Sequence, residues 1–113
     1  MNLGAFIRKL KSVDGITFSL HFDEPRVRVR RIERSEVESM LRNPDRLQTV
    51  EDQGPGFSGW NYALMFERSG RYDLKIVVAI SADGARANVI TAHVQNKLKR
   101  KVYERVNGSQ HRL

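Results

Sequence analysis

This chain of 113 residues has no cysteine, only three prolines and one tryptophan, and no long apolar run. Without cysteine it cannot form a disulfide framework or a thiolate metal site, the usual supports of small secreted domains. Its longest unbroken apolar stretch, residues 76–80, is far short of the roughly 20 residues that span a bilayer. The N-terminus also lacks the apolar core of a signal peptide. These absences predict a cytoplasmic protein that does not enter a membrane.

Several catalytic motifs are missing as well. The sequence has no glycine-rich phosphate loop, no His-Glu-x-x-His pair, no calcium loop and no nucleophile elbow. The spacing of His21, His93 and His111 relative to the carboxylates does not indicate a metal site. We therefore expect neither a metal nor an organic cofactor.

Positive charge is the strongest feature of the composition. Twenty Lys and Arg against thirteen Asp and Glu give a formal net charge of +7 and a pI near 10.2. Such a field speeds association with phosphate polymers and favours RNA or another polyanion as a partner. A well-solvated basic surface without a function is the alternative. The length predicts one domain over residues 1–106, followed by a polar, disordered tail over residues 107–113.

Apolar spacing predicts an α+β fold that begins with a helix. Residues 16–22 alternate between apolar and polar side chains and predict a half-buried strand. Ser35 and Glu38 form a capping-box pattern that predicts the start of a second helix, which ends at Asn43 before Pro44. The first helix is indicated by four apolar residues at helical spacing: Leu3, Phe6, Ile7 and Leu10.

The second half of the sequence predicts a curved antiparallel sheet of about four strands. Residues 48–59 are rich in glycine and predict a mobile loop after a weak strand near Thr49. Three strands follow as a meander, one around residues 62–66, one over Tyr72–Ile80 and one over residues 86–94. Apolar residues four apart from Val94 onward then predict a basic C-terminal helix. Residues 26–31 fit either another strand or the first turn of a helix.

Arginine is concentrated between the first predicted strand and the second helix. In an extended segment, Arg26, Arg28 and Arg30 would share one face at a spacing of roughly 7 Å, close to that of successive phosphates. Together with Arg31, they form a predicted nucleic-acid-binding segment. The alternative is a solvated face whose arginines pair with Asp23, Glu24, Glu33 and Glu36. A second predicted nucleic-acid-binding group contains Lys97, Lys99, Arg100 and Lys101.

Two histidines lie on polar faces of predicted strands. His21 shares a face with Thr17 and Ser19, and His93 shares one with Thr91. Because imidazole titrates near neutral pH, either histidine is suited to move a proton during RNA cleavage. An exposed histidine without a function is the alternative for each.

Aromatic residues are the other candidates for contact with RNA, because an unpaired base stacks on an aromatic ring. We predict that Tyr62 and Tyr72 lie in the core. Trp60, beside Gly59 in the predicted loop, is the better candidate for a contact or lid residue.

Residues 16–95 resemble the small bacterial and archaeal domains related to RelE/ParE-type toxins, within the wider barnase-EndoU-colicin-RelE nuclease fold. Arginines before Ile32 contribute to this likeness. It is otherwise carried by three segments: FSLH at residues 18–21, SEVESMLRNP at residues 35–44 and VITA at residues 89–92. The chain departs from that group where an Asp-Glu-Pro turn and alternating valines follow the histidine, since the relatives tend to continue there as helix.

The resemblance implies a metal-independent endoribonuclease. Active members of that fold cleave RNA by attack of the ribose 2′-hydroxyl, which needs an acid, a base and cations around the phosphate. By position, His21 would be the acid or base, Arg30 and Arg31 the phosphate clamp, and Thr91 a hydrogen-bond donor. We add His93 from its position on the strand. The alternatives are a non-catalytic nucleic-acid-binding module and a protein-interaction domain with an acidic, antitoxin-like partner.

Overall fold

The structure is a computed structural model and describes residues 2–19, residue 22 and residues 32–97. Within these residues the chain forms two α-helices, a short 3-10 helix and five strands. In chain order they are α1 (Leu3–Lys11), β1 (Gly15–Phe18), α2 (Arg34–Arg42), the 3-10 helix (Pro44–Arg46), β2 (Leu47–Gly56), β3 (Gly59–Glu67), β4 (Tyr72–Ile80) and β5 (Arg86–Asn96). The predicted α+β class is confirmed.

The five strands form one mixed sheet in the order β1-β5-β4-β3-β2. Strands β3 to β5 make the predicted antiparallel meander, in which short turns connect the strands, and β2 extends it by one strand. The prediction of about four strands, all antiparallel, is wrong in two respects. There are five strands, and β1 pairs in parallel with β5. A parallel pair needs a long connection, and the chain from β1 to β5 passes through α2 and three strands.

Both helices bury their apolar residues against the same face of the sheet. Phe6 and Leu10 of α1 and Val37 and Leu41 of α2 are almost fully buried. They belong to one core cluster with alternating residues of the central strands, among them Leu64, Phe66, Leu74, Ile76 and Val78. This alternation leaves the other face of the sheet for polar side chains.

Helix α2 begins two residues earlier than the capping box predicts. Its N-cap is Glu33, which makes no side-chain capping bond, and Arg34 is the first helical residue. Ser35 therefore lies inside the first turn, where its hydroxyl lies 3.5 Å from a Glu33 carboxylate oxygen. The capping-box prediction is wrong because Ser35 follows the cap position, although the helix that it indicated is present.

The glycine-rich segment is a tight hairpin and not a mobile loop. Strand β2 extends for ten residues, with register shifts on both sides of the stretch 49–52, and pairs with β3 up to Gly56 and Gly59. A Cβ on Gly59 would lie 2.2 Å from the carbonyl oxygen of Ile80, and Gly59 has a φ of 143°. Glycine at this position therefore lets the hairpin pass close to the end of β4. The prediction failed because the glycines serve a strand turn instead of breaking the strand.

Strand β5 contains a β-bulge at Ile90. Val77 of β4 lies opposite Thr91, whereas the next residue, Val78, lies opposite Val89. The extra residue reverses the alternation of side chains along the second half of β5. As a result, Val89 and Ala92 both face the core, while Thr91 faces the same side of the sheet as Val77.

Several predictions lie outside the described residues. They include the basic C-terminal helix, the polar tail at residues 107–113, and the choice between strand and helix for residues 26–31. Within the described part of the chain, neither helix is long and apolar enough to cross a bilayer.

Candidate nucleic-acid interface

The sheet face opposite α1 and α2 carries most of the polar side chains of the central strands. We call it the outer face. By strand pairing, its members on β3 to β5 are Asn61, Ala63, Met65, Glu67, Asp73, Lys75, Val77, Ala79, Asn88, Thr91, His93 and Gln95. Thr17 of β1 joins them beside Asn88. Polar residues of the sheet that could contact a ligand therefore lie on the outer face.

Two predicted site residues, Thr91 and His93, lie on the outer face next to each other along β5. Thr91 pairs with Val77, and His93 pairs with Lys75. Both side chains are half-buried. Residues two apart on a strand are separated by roughly 7 Å, so both side chains are close enough to contact one bound nucleotide. The bulge at Ile90 produces this arrangement, since uninterrupted alternation would turn both side chains toward the helices.

Lys97, the third predicted site residue in the described chain, is held by carboxylates. Its Nζ lies 3.0 Å from Glu67 Oε2 and 3.9 Å from Oδ1 of the fully buried Asp73. The hydrogen bond and the positive charge of Lys97 lower the pKa of Glu67. The Lys97 charge is thus compensated locally by carboxylates of β3 and β4.

The end of β1 is joined to the part of β5 that precedes Thr91. The Ser19 backbone N–H donates to the Val89 carbonyl at 2.8 Å, and its hydroxyl donates to the Ile90 carbonyl at 3.0 Å. Ser19 lies two residues before His21 in the sequence, and Ile90 lies three before His93. The chain segments leading to the two histidines are therefore hydrogen-bonded neighbours.

Described residues before and after the arginine segment contact Phe18. The rings of Phe18 and Phe22 are in contact, with centroids 4.9 Å apart. The guanidinium of Arg34 lies over the Phe18 ring at 5.2 Å. Residues on both sides of the segment thus pack against the last residue of β1.

Most of the predicted site residues lie outside the described chain. Of the residues predicted to be catalytic, only His93 is described. Those outside are His21, Arg26, Arg28, Arg30, Arg31, Lys99, Arg100 and Lys101. Their roles stay predictions.

Charge is divided unevenly between the described residues and the rest of the sequence. The described residues hold eleven of the twenty Lys and Arg and ten of the thirteen Asp and Glu, a formal charge of +1. The remaining +6 of the net charge belongs to residues 23–31 and 98–113. The described fold is therefore nearly neutral, and the basic excess is confined to two short stretches of sequence.

Some charged side chains of the described fold form ion pairs or hydrogen bonds within it. Both oxygens of Glu36 accept hydrogen bonds from Arg68, at 2.8 Å and 3.0 Å. Arg42 donates to the backbone carbonyls of Val13 and Asp14. Glu36 is one of the four acids that could neutralise the arginine segment, and its pairing with Arg68 makes it a poorer partner for those arginines.

Sequence patterns missed two features of the sheet. A hydrogen-bonded chain runs from Thr17 to Asn88 at 2.9 Å and on to Ser58 at 3.2 Å, which ties β1, β5 and the β2–β3 turn together. Tyr72 was expected in the core but is 38% exposed, whereas Tyr62 is buried as predicted. Alternation correctly predicts that Tyr72 lies on the helix side of the sheet. It does not predict that Tyr72, as the first residue of β4, lies at the margin and is exposed.

Among the described residues, no three His, Asp or Glu side chains gather in a way that would hold a metal ion. Comparisons with protein-family models, curated proteins and solved structures found no match. The resemblance to RelE/ParE-type toxins is neither supported nor contradicted by these comparisons and stays a prediction.

Proposed function

We propose that this chain binds RNA through the arginine segment at residues 26–31 and the basic run at residues 97–101. The observation that carries the proposal is the division of charge, since a nearly neutral fold bears +6 on two short stretches. Charge that merely favours solubility would be spread over the whole surface. Concentrated arginine and lysine instead suit contacts with successive phosphates.

A finer proposal is that the bound RNA is cleaved without a metal, with His21 and His93 exchanging protons with the ribose hydroxyl and the leaving oxygen. Its support is the hydrogen bonding of Ser19 to Val89 and Ile90, which makes the segments leading to the two histidines neighbours. Arg30 would offset the charge that develops on the phosphate. Thr91 is close enough to His93 to donate a hydrogen bond to the same nucleotide.

Binding is tested by fluorescence anisotropy with labelled single-stranded RNA over a range of salt concentrations. The test variant changes Arg26, Arg28, Arg30 and Arg31 to glutamine. We expect a large loss of affinity and a shallower salt dependence, by about 3 in the slope of log K against log salt, because about four phosphate contacts are lost.

A control variant removes the same charge from elsewhere. It changes Arg8, Lys11, Arg46 and Arg86 to glutamine, all of which are exposed in the described fold. We expect this control to bind with nearly the wild-type salt slope. Equal losses in the two variants would show that net charge alone drives binding and would contradict a defined site.

Cleavage is tested by incubating the protein with total RNA in the presence of EDTA. We expect His21→Ala, His93→Ala and Arg30→Ala each to lower the cleavage rate by about a hundred-fold or more, the usual contribution of a positioned acid or base. RNA binding without product in the wild type would leave a non-catalytic module. Co-purification with a small acidic protein and no binding of RNA would favour the antitoxin-like partner.

A further inference from the structure

Large exposed aromatic side chains occur at both ends of the sheet in the described chain. At one end, which we call the Gly59 end, Phe57 is fully exposed in the β2–β3 turn and Trp60 is 44% exposed. At the opposite end, Tyr72 is 38% exposed at the start of β4. We call this the Tyr72 end, and it includes the turn at residues 68–71 and the end of β5. Each ring offers a flat surface on which a base can stack.

The charges around the two sets of rings differ in sign. The part of the hairpin that carries Phe57 and Trp60, residues 48–60, contains two acidic residues, Glu51 and Asp52, and no Lys, Arg or His. The indole N–H of Trp60 donates to Asp52 Oδ1, which places a carboxylate at the edge of that ring. A nucleotide stacked there would bring its phosphate toward Asp52.

Tyr72 instead lies among cations whose nearby acids are already compensated. Arg71 is its exposed neighbour in the chain, and the Arg71 carbonyl accepts a hydrogen bond from the Lys97 backbone N–H at 3.0 Å. Two acids at this end, Glu67 and Glu36, accept hydrogen bonds from Lys97 and Arg68. The third, the buried Asp73, lies 3.9 Å from the Lys97 Nζ. The run that continues with Lys99, Arg100 and Lys101 therefore starts beside Arg71.

The charges near the rings determine which end of the sheet a polyanion would bind. Phosphates of a stacked nucleotide lie within about one Debye length, roughly 8 Å, of the ring that holds the base. Glu51 and Asp52 at the Gly59 end would oppose binding at that distance, and the cations at the Tyr72 end would favour it. Aromatic stacking supplies the remaining affinity and is available only when the base is unpaired.

We propose that the chain recognises single-stranded RNA by stacking an unpaired base on Tyr72, with the guanidinium of Arg71 against the adjoining phosphate. This inference rests on the proposed function and adds to it the substrate class and a contact residue. The side chain of Asn96, directly opposite Tyr72 across the β4–β5 pair, lies where it can meet the edge of the stacked base. The exposed rings at the Gly59 end take no part in binding.

The test uses a short fluorescein-labelled oligoadenylate and anisotropy. Tyr72→Ala is expected to weaken binding about five-fold or more, whereas Tyr72→Phe, which keeps the ring, stays within about two-fold of wild type. Tyr72→Leu keeps apolar bulk without a π-face, so it should bind as weakly as Tyr72→Ala. Phe57→Ala is the matched control and should bind like wild type. Melting curves check that each variant is folded.

Emission from Trp60, the one tryptophan of the chain, gives a second readout, and we expect no quenching when the oligonucleotide binds. Wild-type affinity in both Tyr72→Ala and Tyr72→Leu would overturn the inference. Quenching of Trp60 together with weak binding by Phe57→Ala would do the same. Those results would leave RNA binding itself intact. A wild-type protein that binds no RNA at all would instead contradict the proposed function and, with it, this inference.

Discussion

The two ends of the sheet are held together by different physical means. At the Gly59 end, the hairpin and strands meet through close backbone contacts and hydrogen bonds between uncharged groups, such as Gly59 against Ile80 and Asn88 to Ser58. At the Tyr72 end, ion pairs connect the parts: Lys97 with Glu67 and Asp73, and Arg68 with Glu36.

Because of this difference, we expect salt to weaken the contacts at the Tyr72 end more than those at the Gly59 end. Backbone contacts depend on shape and respond little to ionic strength, while ion pairs near the surface weaken as salt screens them. The Tyr72 end is also where the basic run begins. A polyanion at the Tyr72 end would lie beside these ion pairs and the start of the basic run. At the Gly59 end it would lie beside an acidic hairpin.

The largest expected effect is a loss of stability from a substitution at the Gly59 end. Gly59→Ala places a methyl group 2.2 Å from the Ile80 carbonyl oxygen at a φ of 143°, so we expect a loss of about 3 kcal/mol in the free energy of unfolding. Urea denaturation measures it. Gly70→Ala, in the turn at the other end, has open space around its Cβ and should change stability by less than about 0.5 kcal/mol. Similar losses in both variants would contradict the close-contact explanation.

The second effect tests the charges of the Tyr72 end. Lys97→Met removes the cation from the neighbourhood of buried Asp73, and we expect a loss on the order of 2 kcal/mol, less than for a closely bonded buried pair because the atoms lie 3.9 Å apart. The loss should shrink as NaCl is raised in urea denaturation. Lys11→Met, on the exposed side of α1, is the control and should be nearly neutral.

A smaller effect is expected for the pair of Arg68 and Glu36, which joins α2 to the turn before β4. Both side chains are about one quarter exposed, so solvent weakens the attraction, and we expect a coupling energy of about 1 kcal/mol from a double-mutant cycle with Arg68→Met and Glu36→Gln. A coupling energy that is unchanged in high salt would count against an ionic origin.

The smallest effect is a pH dependence that differs between the ends. The pKa of Glu67 is lowered by Lys97, and the pKa of Asp83 is lowered by hydrogen bonds from the Ser81 hydroxyl and the Ala85 N–H. Since each folded pKa lies below the unfolded one, the stability it contributes is present above the ordinary value, 4.5 for Glu67 and 3.8 for Asp83, and is lost as the pH falls through the folded pKa.

Salt should separate these two titrations, which NMR can follow for each carboxylate. We expect added NaCl to raise the pKa of Glu67 toward 4.5, because screening weakens the attraction to Lys97. The pKa of Asp83 should move less, since its partners are mainly neutral donors. Equal movement of both groups would contradict the distinction between the ends.

Sequence patterns predicted the parts of the fold that depend on local periodicity. The range of β4 was predicted correctly, and α1 and the meander followed from apolar spacing. The parallel pairing of β1 with β5 was missed because it joins residues about 70 positions apart, and no local pattern encodes such a contact. The β2–β3 hairpin was taken for a loop because glycine marks both loops and tight strand turns.

The candidate site was predicted less completely than the fold. Thr91 and His93 were expected on a polar strand face, and they lie on the outer face, although simple alternation from Val89 would have placed them in the core. Tyr72 was missed because exposure at a sheet margin depends on where the covering helices stop. That boundary is a property of the tertiary structure.

The bulge at Ile90 sets the side of the sheet that His93 faces. If Ile90 stayed in the chain and β5 paired without the bulge, each later residue would shift by one position, and the imidazole would point into the layer filled by Phe66, Leu74 and Ile76. Deleting Ile90 would instead leave Thr91 opposite Val77 and keep His93 outward. A one-codon deletion at this point would therefore preserve both surfaces of the strand. Homologous chains without the extra residue would be expected to carry the same set of side chains on the outer face.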